Sequence, residues 1–557
     1  MTYRFTKVAL LPGLLAVCLS LVTTTELRSQ TPDADPPAPA ATEERTVPPP
    51  AAEQPLEADG TEAKPLNWEG KVDAFFGKYI VDPVGSGIFY GPSVTPMATP
   101  SEPNPEAVKI PLVVLLLLGA GVFFTLRMVF INVRGFWHAI RLTRGDYDDP
   151  NDAGEVSHFQ ALAAALSATV GLGNIGGVAI AIGIGGPGAT FWMILVGLVG
   201  MSTKFAECTL GQLYRTVDDR GQVLGGPMRY LRSGLADLGL EPLGRVLAFL
   251  FAILCVGASL GGGNAYQINQ SLSAVSEGLP ILQEYSWLYG LVMAVVVGLV
   301  IIGGIRSIGR VAGAIVPVMC AAYMLAAVYI LLANYANVPT AFGSIFSSAF
   351  SMDAGIGGLI GVMITGTQRA VFSNEAGVGS APIAHSAAKT NEPVSEGIVA
   401  LLEPFIDTVL VCTTTALVIL VSQVPTDGDA QGAALTLSAF QTGGAHWFGY
   451  VLFAAVVLFA LSTCISWSYY GERCFVQLFG TRSSIVYKAL FVTFTFLGSI
   501  ITATKVLDFS DLMIFGMAIP NLLGVFLLSG VVKRALDDYW GRYRSGELDR
   551  EAEQFRK

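Results

Sequence analysis

Four glycines crowd one asparagine inside a single apolar run. In ALAAALSATVGLGNIGGVAIAIGIGGPG, Gly171, Gly173, Gly176 and Gly177 surround Asn174. Each glycine destabilises a helix interior by about 1 kcal/mol relative to alanine, so the helix is expected to break there. Unwound backbone at membrane depth is tolerated only where it faces protein or a wet cavity. Such a break frees amide N–H groups for an anionic carboxylate at the start of one half-helix and carbonyls for a cation at the end of the other. The same letters match G-x-G-x-x-G, but a dinucleotide site needs a preceding strand and a βαβ unit, and this run has neither. The plainer alternative is close helix packing, with Gly173 and Gly177 as a small-xxx-small pair.

A second interruption lies five apolar runs later, in TGTQRAVFSNEAGVGSAPIAHSAA, where Ser373, Asn374, Glu375, Gly377, Gly379 and Ser380 break an otherwise helical stretch. Two interrupted spans in matching positions of two halves are the pattern of an inverted-repeat carrier with its site at the repeat interface. A third element, FALSTCISWSYYGERC, offers the hydroxyls of Ser462 and Thr463. Paired hydroxyls are hard oxygen ligands suited to an alkali cation; in isolation such a pair more often bonds back to the preceding turn. Beside two broken helices, the cation role is favoured.

The elements that position these residues follow from composition. The chain of 557 residues is 52% hydrophobic and 14% charged, against about 25% charged in a soluble domain. Apolar runs of about 20 residues, enough to cross the bilayer core, recur after Pro111. Spans are expected at 110–131, 157–184, 187–213, 246–271, 285–304, 312–333, 355–388, 396–422, 446–470, 484–503 and 509–532. The fold class is therefore an all-α polytopic membrane protein of eleven spans, one extra span (110–131) plus a five-plus-five inverted-repeat core (157–333 and 355–532). Lys and Arg mark cytoplasmic loops: Arg134, Arg141 and Arg144, then Arg215 to Arg245, Arg306 and Arg310, Lys389, Arg473 and Arg482, and the tail 533–557 fall on one side. The outward loops near 273–284, 334–354 and 423–445 have none, with Lys505 the exception. The C-terminus is expected to be cytoplasmic, in the inner membrane.

Before the first span, residues 1–25 carry Arg4 and Lys7 and an apolar run suited to a signal peptide. The Pro/Ala/Glu-rich stretch 26–65 reads as a disordered exported linker. Residues 66–109, with Trp68, Phe75, Phe76, Tyr79, Phe89 and Tyr90, read as an exported interfacial region able to form an amphipathic helix. The net charge of −10 draws on these acidic N-terminal stretches and gives no reason to expect nucleic acid. Seven scattered cysteines and four scattered histidines show no metal-ligand spacing, and no Ser/His/Asp constellation converges. Neither an enzyme nor an organic cofactor is expected.

The stretches FQALAAALSATVGLGNIGGVAIAIGIGGPGATFW, QRAVFSNEAGVGSAPIAHSAA and STCISWSYYGERC resemble the alanine/glycine:cation symporters, also called sodium:alanine symporters, over about residues 111–532. That resemblance implies the leucine-transporter fold with one extra span. SATVGLGN is also similar to the first core helix of the neurotransmitter:sodium symporters. By that likeness the amides of Leu172 and Gly173 would hold an amino-acid carboxylate. The carbonyls of Ser167 and Val170, with the Ser462 and Thr463 hydroxyls, would hold Na+. The Thr169 carbonyl and Asn174 side chain match a second Na+ site. The chain departs from the family's Arg-Val-Gly-Thr-Gly-Asn at Thr169 and Leu172.

Ionisable groups at membrane depth default to functional hypotheses. Glu375, inside the second break, is expected either to meet a substrate ammonium or to cap a half-helix. Glu207, Glu403 and Asp407 read as structural partners of Lys204, Arg369 or helix ends. Asn264, Gln267, Asn269 and Gln270 line the cavity or bond between helices. Small residues at both breaks (Gly176, Gly177, Gly377 and Ala381) leave room for a small neutral amino acid, with Na+ as coupling ion and the lipid bilayer as solvent. The competing readings are a proton-coupled carrier with Glu375 as proton carrier and a non-transporting amino-acid sensor.

Overall fold

Ser157 begins the helix that leads into the first break: its hydroxyl accepts the Gln160 N–H at 3.3 Å, and the Gln160 side chain accepts the Ser157 N–H at 3.2 Å. This reciprocal cap satisfies two donors that a helix start otherwise leaves unpaired. The computed structural model describes residues 78, 88–94, 108–149, 151–217, 223–302, 304–351, 355–426, 431–444 and 448–555, all within the compact unit Glu69–Lys557. The expected signal peptide, linker and most of the interfacial region lie outside the described residues. Within that region, Ser93–Val94 pairs antiparallel with Val108–Lys109, and Phe89 meets Phe515 edge-on at 6.0 Å between centroids.

In chain order the main helices are α1 (Leu112–Arg127), α2 (Phe136–Thr143), α3 (His158–Thr169), α4 (Val178–Gly185), α5 (Gly188–Leu213), α6 (Pro227–Asp237), α7 (Glu241–Leu260), α8 (Tyr266–Gly278), α9 (Ser286–Ile301) and α10 (Gly304–Ala333). They continue with α11 (Val338–Ala349), α12 (Gly355–Asn374), α13 (Ala381–His385), α14 (Pro393–Ala400), α15 (Thr413–Val421), α16 (Ala433–Gly443), α17 (Phe448–Phe479), α18 (Ser484–Leu497), α19 (Ala503–Arg544) and α20 (Glu547–Phe555). Helix occurs in all eleven ranges read as spans. Among the described residues, six continuous helical segments are long and apolar enough to cross a membrane, or seven with the bent pair α3–α4. Leu291, Val295 and Leu299 of α9 and Leu325, Val328 and Leu332 of α10 are exposed. Apolar side chains at these spacings facing outward fit lipid rather than water.

Several boundaries differ from the sequence reading. Helix α17 runs to Phe479 rather than 470, because the polar pair that looks like an end is bound: Glu472 pairs with Lys488 at 3.5 Å and Arg473 stacks over Tyr469 at 4.9 Å. Helix α19 continues through the expected tail to Arg544, carried by Lys533–Asp537 and Arg542–Asp538 pairs one turn apart. All three expected outward loops contain helix: the end of α8 and Ile281–Glu284 in the first, α11 in the second and the largely buried α16 in the third.

Outside the spans, α2 folds back under the C-terminal helices. His138 is buried, with Nε2 2.8 Å from the Tyr539 hydroxyl. Burial first, and the Arg141 guanidinium second, lower its pKa from 6.5 to about 4. A folded-state pKa below the unfolded one favours the neutral ring, so the contribution is complete above about pH 6.5 and lost as pH falls towards 4. Between neutral pH and about pH 5 the expected loss is roughly 2 kcal/mol. Thermal unfolding in detergent should show a midpoint falling over this window, with a flatter response in His138→Gln; an unchanged slope in that variant would remove the assignment.

Candidate functional site

Helix α3 ends at Thr169. Val170 (φ −75°, ψ 85°) leaves the helical region and turns its carbonyl off the helix axis, and Gly173–Gly177 resumes as a π-helical turn before α4. The two halves are bent by 52°. Every residue from 161 to 179 is buried, so the freed backbone groups must find partners inside the protein. The Gly171 N–H donates to Asn174 Oδ1 at 2.8 Å, and the Leu172 N–H donates to Gln267 Oε1 at 3.0 Å. Gln267 stands beside a second π-helical turn, Gly261–Ala265, between α7 and α8. Asn264, Asn269 and Gln270 make long-range bonds to the backbone at Phe491, Ile501 and Ala433.

The second break follows α12. Glu375 (φ 56°), Gly377 (φ 87°) and Gly379 (φ 90°) all adopt left-handed backbone, which glycine accepts freely and a glutamate does so only under constraint. The constraint is visible: Glu375 accepts from the Ser380 hydroxyl and from Trp467 Nε1 at 3.0 Å. Both contacts are to side chains, and among the described residues the Glu375 carboxylate accepts no bond from the backbone N–H groups that begin α13. Asn374 Oδ1 accepts the Ala376 N–H at 2.9 Å, and its Nδ2 donates to Thr408 Oγ1 at 2.9 Å. The Gly377 carbonyl accepts from Asn521 Nδ2 at 3.0 Å, and Asn521 also binds Glu207 and Tyr230.

Asp407 joins the two breaks. It lies, fully buried, in a third π-helical turn, Phe405–Cys412. Its Oδ1 accepts from Asn174 Nδ2 at 2.5 Å; its Oδ2 accepts from the Ser373 hydroxyl at 2.8 Å and from Thr408 Oγ1 at 2.7 Å. Single π turns recur at functional sites because the widened turn turns side chains and carbonyls inward. Sequence reading assigned Asp407 a structural role. The available signal was its i,i+4 relation to Glu403, which puts two acids on one face of an apolar helix.

The hydroxyl pair divides. Ser462 Oγ bonds back to the Phe459 carbonyl at 3.0 Å, and the Ser462 carbonyl accepts from Ser167 Oγ at 2.9 Å. Thr463 Oγ1 is buried with no hydrogen-bond partner among the described residues. It abuts Gly171, where a Cβ would collide with it. The end of α3 thus lies against α17, with Ser167 bonded to the Ser462 carbonyl and the orphaned Thr463 hydroxyl set against Gly171. Helix α16 covers the first break, its Thr436 hydroxyl donating to the Ile175 carbonyl at 2.9 Å.

This geometry, two broken helices joined by a buried carboxylate, sits within a chain whose residues 101–554 match the model of the sodium:alanine symporter family. The chain belongs to the sodium:alanine symporter family. Among relatives of this symporter, the sodium/alanine symporter AgcS of Methanococcus maripaludis is 44% identical over 426 residues, covering 76% of this chain and 92% of that protein. GlnT of Bacillus subtilis, described as a probable sodium/glutamine symporter, is 34% identical over 438 residues, covering 78% and 89%. The crystal structure of MhsT with L-phenylalanine aligns with a TM-score of 0.52 at 16% identity, covering 72% of this chain and 97% of that one. That likeness establishes the leucine-transporter fold for this family member. The chain is a multi-pass membrane protein of a transporter family.

Proposed function

We propose that this protein imports a small neutral amino acid, alanine or glycine, together with Na+ by alternating access. It does so through an eleven-span scaffold of one extra span and two inverted five-span repeats, with the C-terminus in the cytoplasm. The observation that carries the reading is Asp407, which accepts from Asn174 of the first break and Ser373 of the second. Any rearrangement at one break is thereby felt at the other. Substrate carboxylate is read to replace Gln267 Oε1 on the Leu172 N–H and to reach the Gly173 amide. Asn174, Gly176, Asn374, Gly377 and Gly379 complete the surroundings, and Glu375 holds the break open. The Ser167 and Val170 carbonyls with the Thr463 hydroxyl take Na+, and Ser462 supports them through its backbone. Thr169 and Asn174 remain the candidate second cation position, with Asp407 beside it.

Small cargo is supported by close packing. A Cβ on Gly176 would lie 2.6 Å from Gln270 Oε1 and 3.0 Å from the Ala433 nitrogen, and one on Gly173 would lie 3.4 Å from Ser373 Cα. The glutamine relative makes side-chain size the property to test. In proteoliposomes with an inward Na+ gradient, radiolabelled alanine should accumulate at least about tenfold above the gradient-free level. Unlabelled glycine should compete, and leucine and tryptophan should not. Accumulation of leucine without alanine or glycine uptake would overturn the reading.

A further inference from the structure

Helix α1 ends at Arg127, on the face that meets α19. Phe123 and Phe124 pack on Phe526 with ring centroids 5.0 and 5.3 Å apart. The Arg127 guanidinium lies over the Phe123 ring at 5.8 Å, an attraction that steers the side chain across to α19. One turn after Phe526, Gly530 leaves a notch between the two helices. A Cβ placed there would lie 3.7 Å from Arg534 Nη1 and 3.8 Å from Arg127 Nη2, and among the described residues only the helix's own backbone comes as near. Two guanidinium groups, one from each helix, therefore face a single point, no farther apart than those two distances laid end to end.

Like charges held this close repel unless an anion lies between them or water screens them. Among the described residues neither arginine has an ion pair, and the acids that follow on α19 are taken, Asp537 by Lys533 and Asp538 by Arg542. Tyr214, which bonds Asp237, is within electrostatic reach of Arg534 and leaves its guanidinium unpaired. Arg134 is engaged elsewhere, donating to the Met128 carbonyl at 3.2 Å and lying over Trp540 at 4.7 Å. The approach to the notch is apolar. Leu523, Leu527, Gly530 and Arg534 recur at helical spacing and so form one stripe along α19, and both leucines are exposed, as are Leu126 and Phe130 beside Arg127.

We propose that Arg127 and Arg534 together bind the phosphate of an anionic phospholipid whose acyl chains lie along the Leu523 and Leu527 stripe. Arginine meets phosphate through charge-assisted bonds of about 2.7–2.9 Å, and the two free oxygens of a phosphodiester suit two donors that approach from different helices. Basic pockets between spans at the cytoplasmic face are where such head groups are held. A soluble phosphate would satisfy the same guanidinium groups, and the exposed apolar stripe leading to them is what selects a lipid. The leaflet follows from the orientation proposed above; binding itself does not depend on transport. The bound head group ties α1 to the helix whose Asn521 holds the Gly377 carbonyl of the second break.

The test uses the full chain in neutral detergent and follows, by native mass spectrometry, binding of phosphatidylglycerol and of phosphatidylcholine with identical acyl chains, with inorganic phosphate as the soluble competitor. Phosphatidylglycerol should bind at least about tenfold more tightly than phosphatidylcholine. Arg127→Gln and Arg534→Gln should each weaken phosphatidylglycerol at least about fivefold, the effect of one basic group at a membrane surface. Arg482→Gln, at an exposed arginine elsewhere on the cytoplasmic side, should leave it within about twofold. Equal affinity for the two lipids, displacement of the lipid by an equal concentration of phosphate, or an equal loss in Arg482→Gln overturns the site. Thermal midpoints without lipid identify any variant that fails to fold, and the wild-type comparison of the two lipids and phosphate decides the proposal without it. Absence of alanine uptake would overturn the symport reading and leave this site standing.

Discussion

Thr463→Val raises the Na+ concentration for half-maximal alanine uptake by roughly tenfold to a hundredfold. The substitution keeps the branched shape and removes the one hydroxyl that is buried against Gly171 without a partner. A hydrogen-bonding or ligating contact to a charge contributes about 1.5–3 kcal/mol, which is the stated factor in affinity. Ser462→Ala should change the same constant by less than about threefold, since its hydroxyl is already spent on the Phe459 carbonyl. Thr463→Ser should restore most of the loss. Uptake at graded Na+ measures all three, and equal behaviour of Ser462→Ala and Thr463→Val would discard the division of labour drawn from their contacts.

Asp407→Ala lowers alanine uptake, as kcat/KM, at least about a hundredfold. It removes the carboxylate acceptor of three donors at once, Asn174 Nδ2, Ser373 Oγ and Thr408 Oγ1. Asn174 is left the residue-407 carbonyl, and Asn174 and Ser373 the Cys412 sulfur, and each charge-assisted bond lost costs about 1.5–3 kcal/mol. The same contacts hold the two breaks to one another, so the loss should appear in turnover as well as in binding. Asp407→Asn retains one acceptor oxygen for the hydroxyls but sets an amide against the Asn174 amide, and a loss of about tenfold is expected. Folding is checked separately by the thermal midpoint and monodispersity of each variant. Wild-type uptake by the alanine variant would end the idea that this carboxylate couples the breaks.

The breaks themselves were legible in the sequence because glycine acts locally. Gly171, Gly173, Gly377 and Gly379 announce unwound backbone wherever the rest of the chain lies. Helix positions were legible for a similar reason, since twenty apolar residues in a row have few alternatives. Asp407 was not legible as a junction. Its partner Asn174 is 233 residues away, and no local pattern around an aspartate in an apolar run distinguishes a helix-end partner from a bridge. Helices α17 and α19 continue past the span ends read from the sequence, because Glu472, Arg473 and Lys533 are satisfied by neighbours that only the fold supplies. Ser462 and Thr463 are chemically alike in the sequence, and only the course of α17 past Gly171 separates them.

Helix α19 has a mechanical consequence. It runs unbroken for 42 residues, with Pro520 inside it and Asn521 gripping the Gly377 carbonyl of the second break. Beyond Asn521 it extends to Arg544, and near its end Arg542 clasps Glu392 through two bonds of 2.8 and 2.7 Å. At 1.5 Å per residue, that rod is about 35 Å long, so a tilt of about 10° about Pro520, where the missing amide makes bending cheap, displaces its far end by roughly 6 Å. A tilt of that size would part Arg542 from Glu392, so distance probes on residue 544 and the α14 segment would read it directly in single molecules.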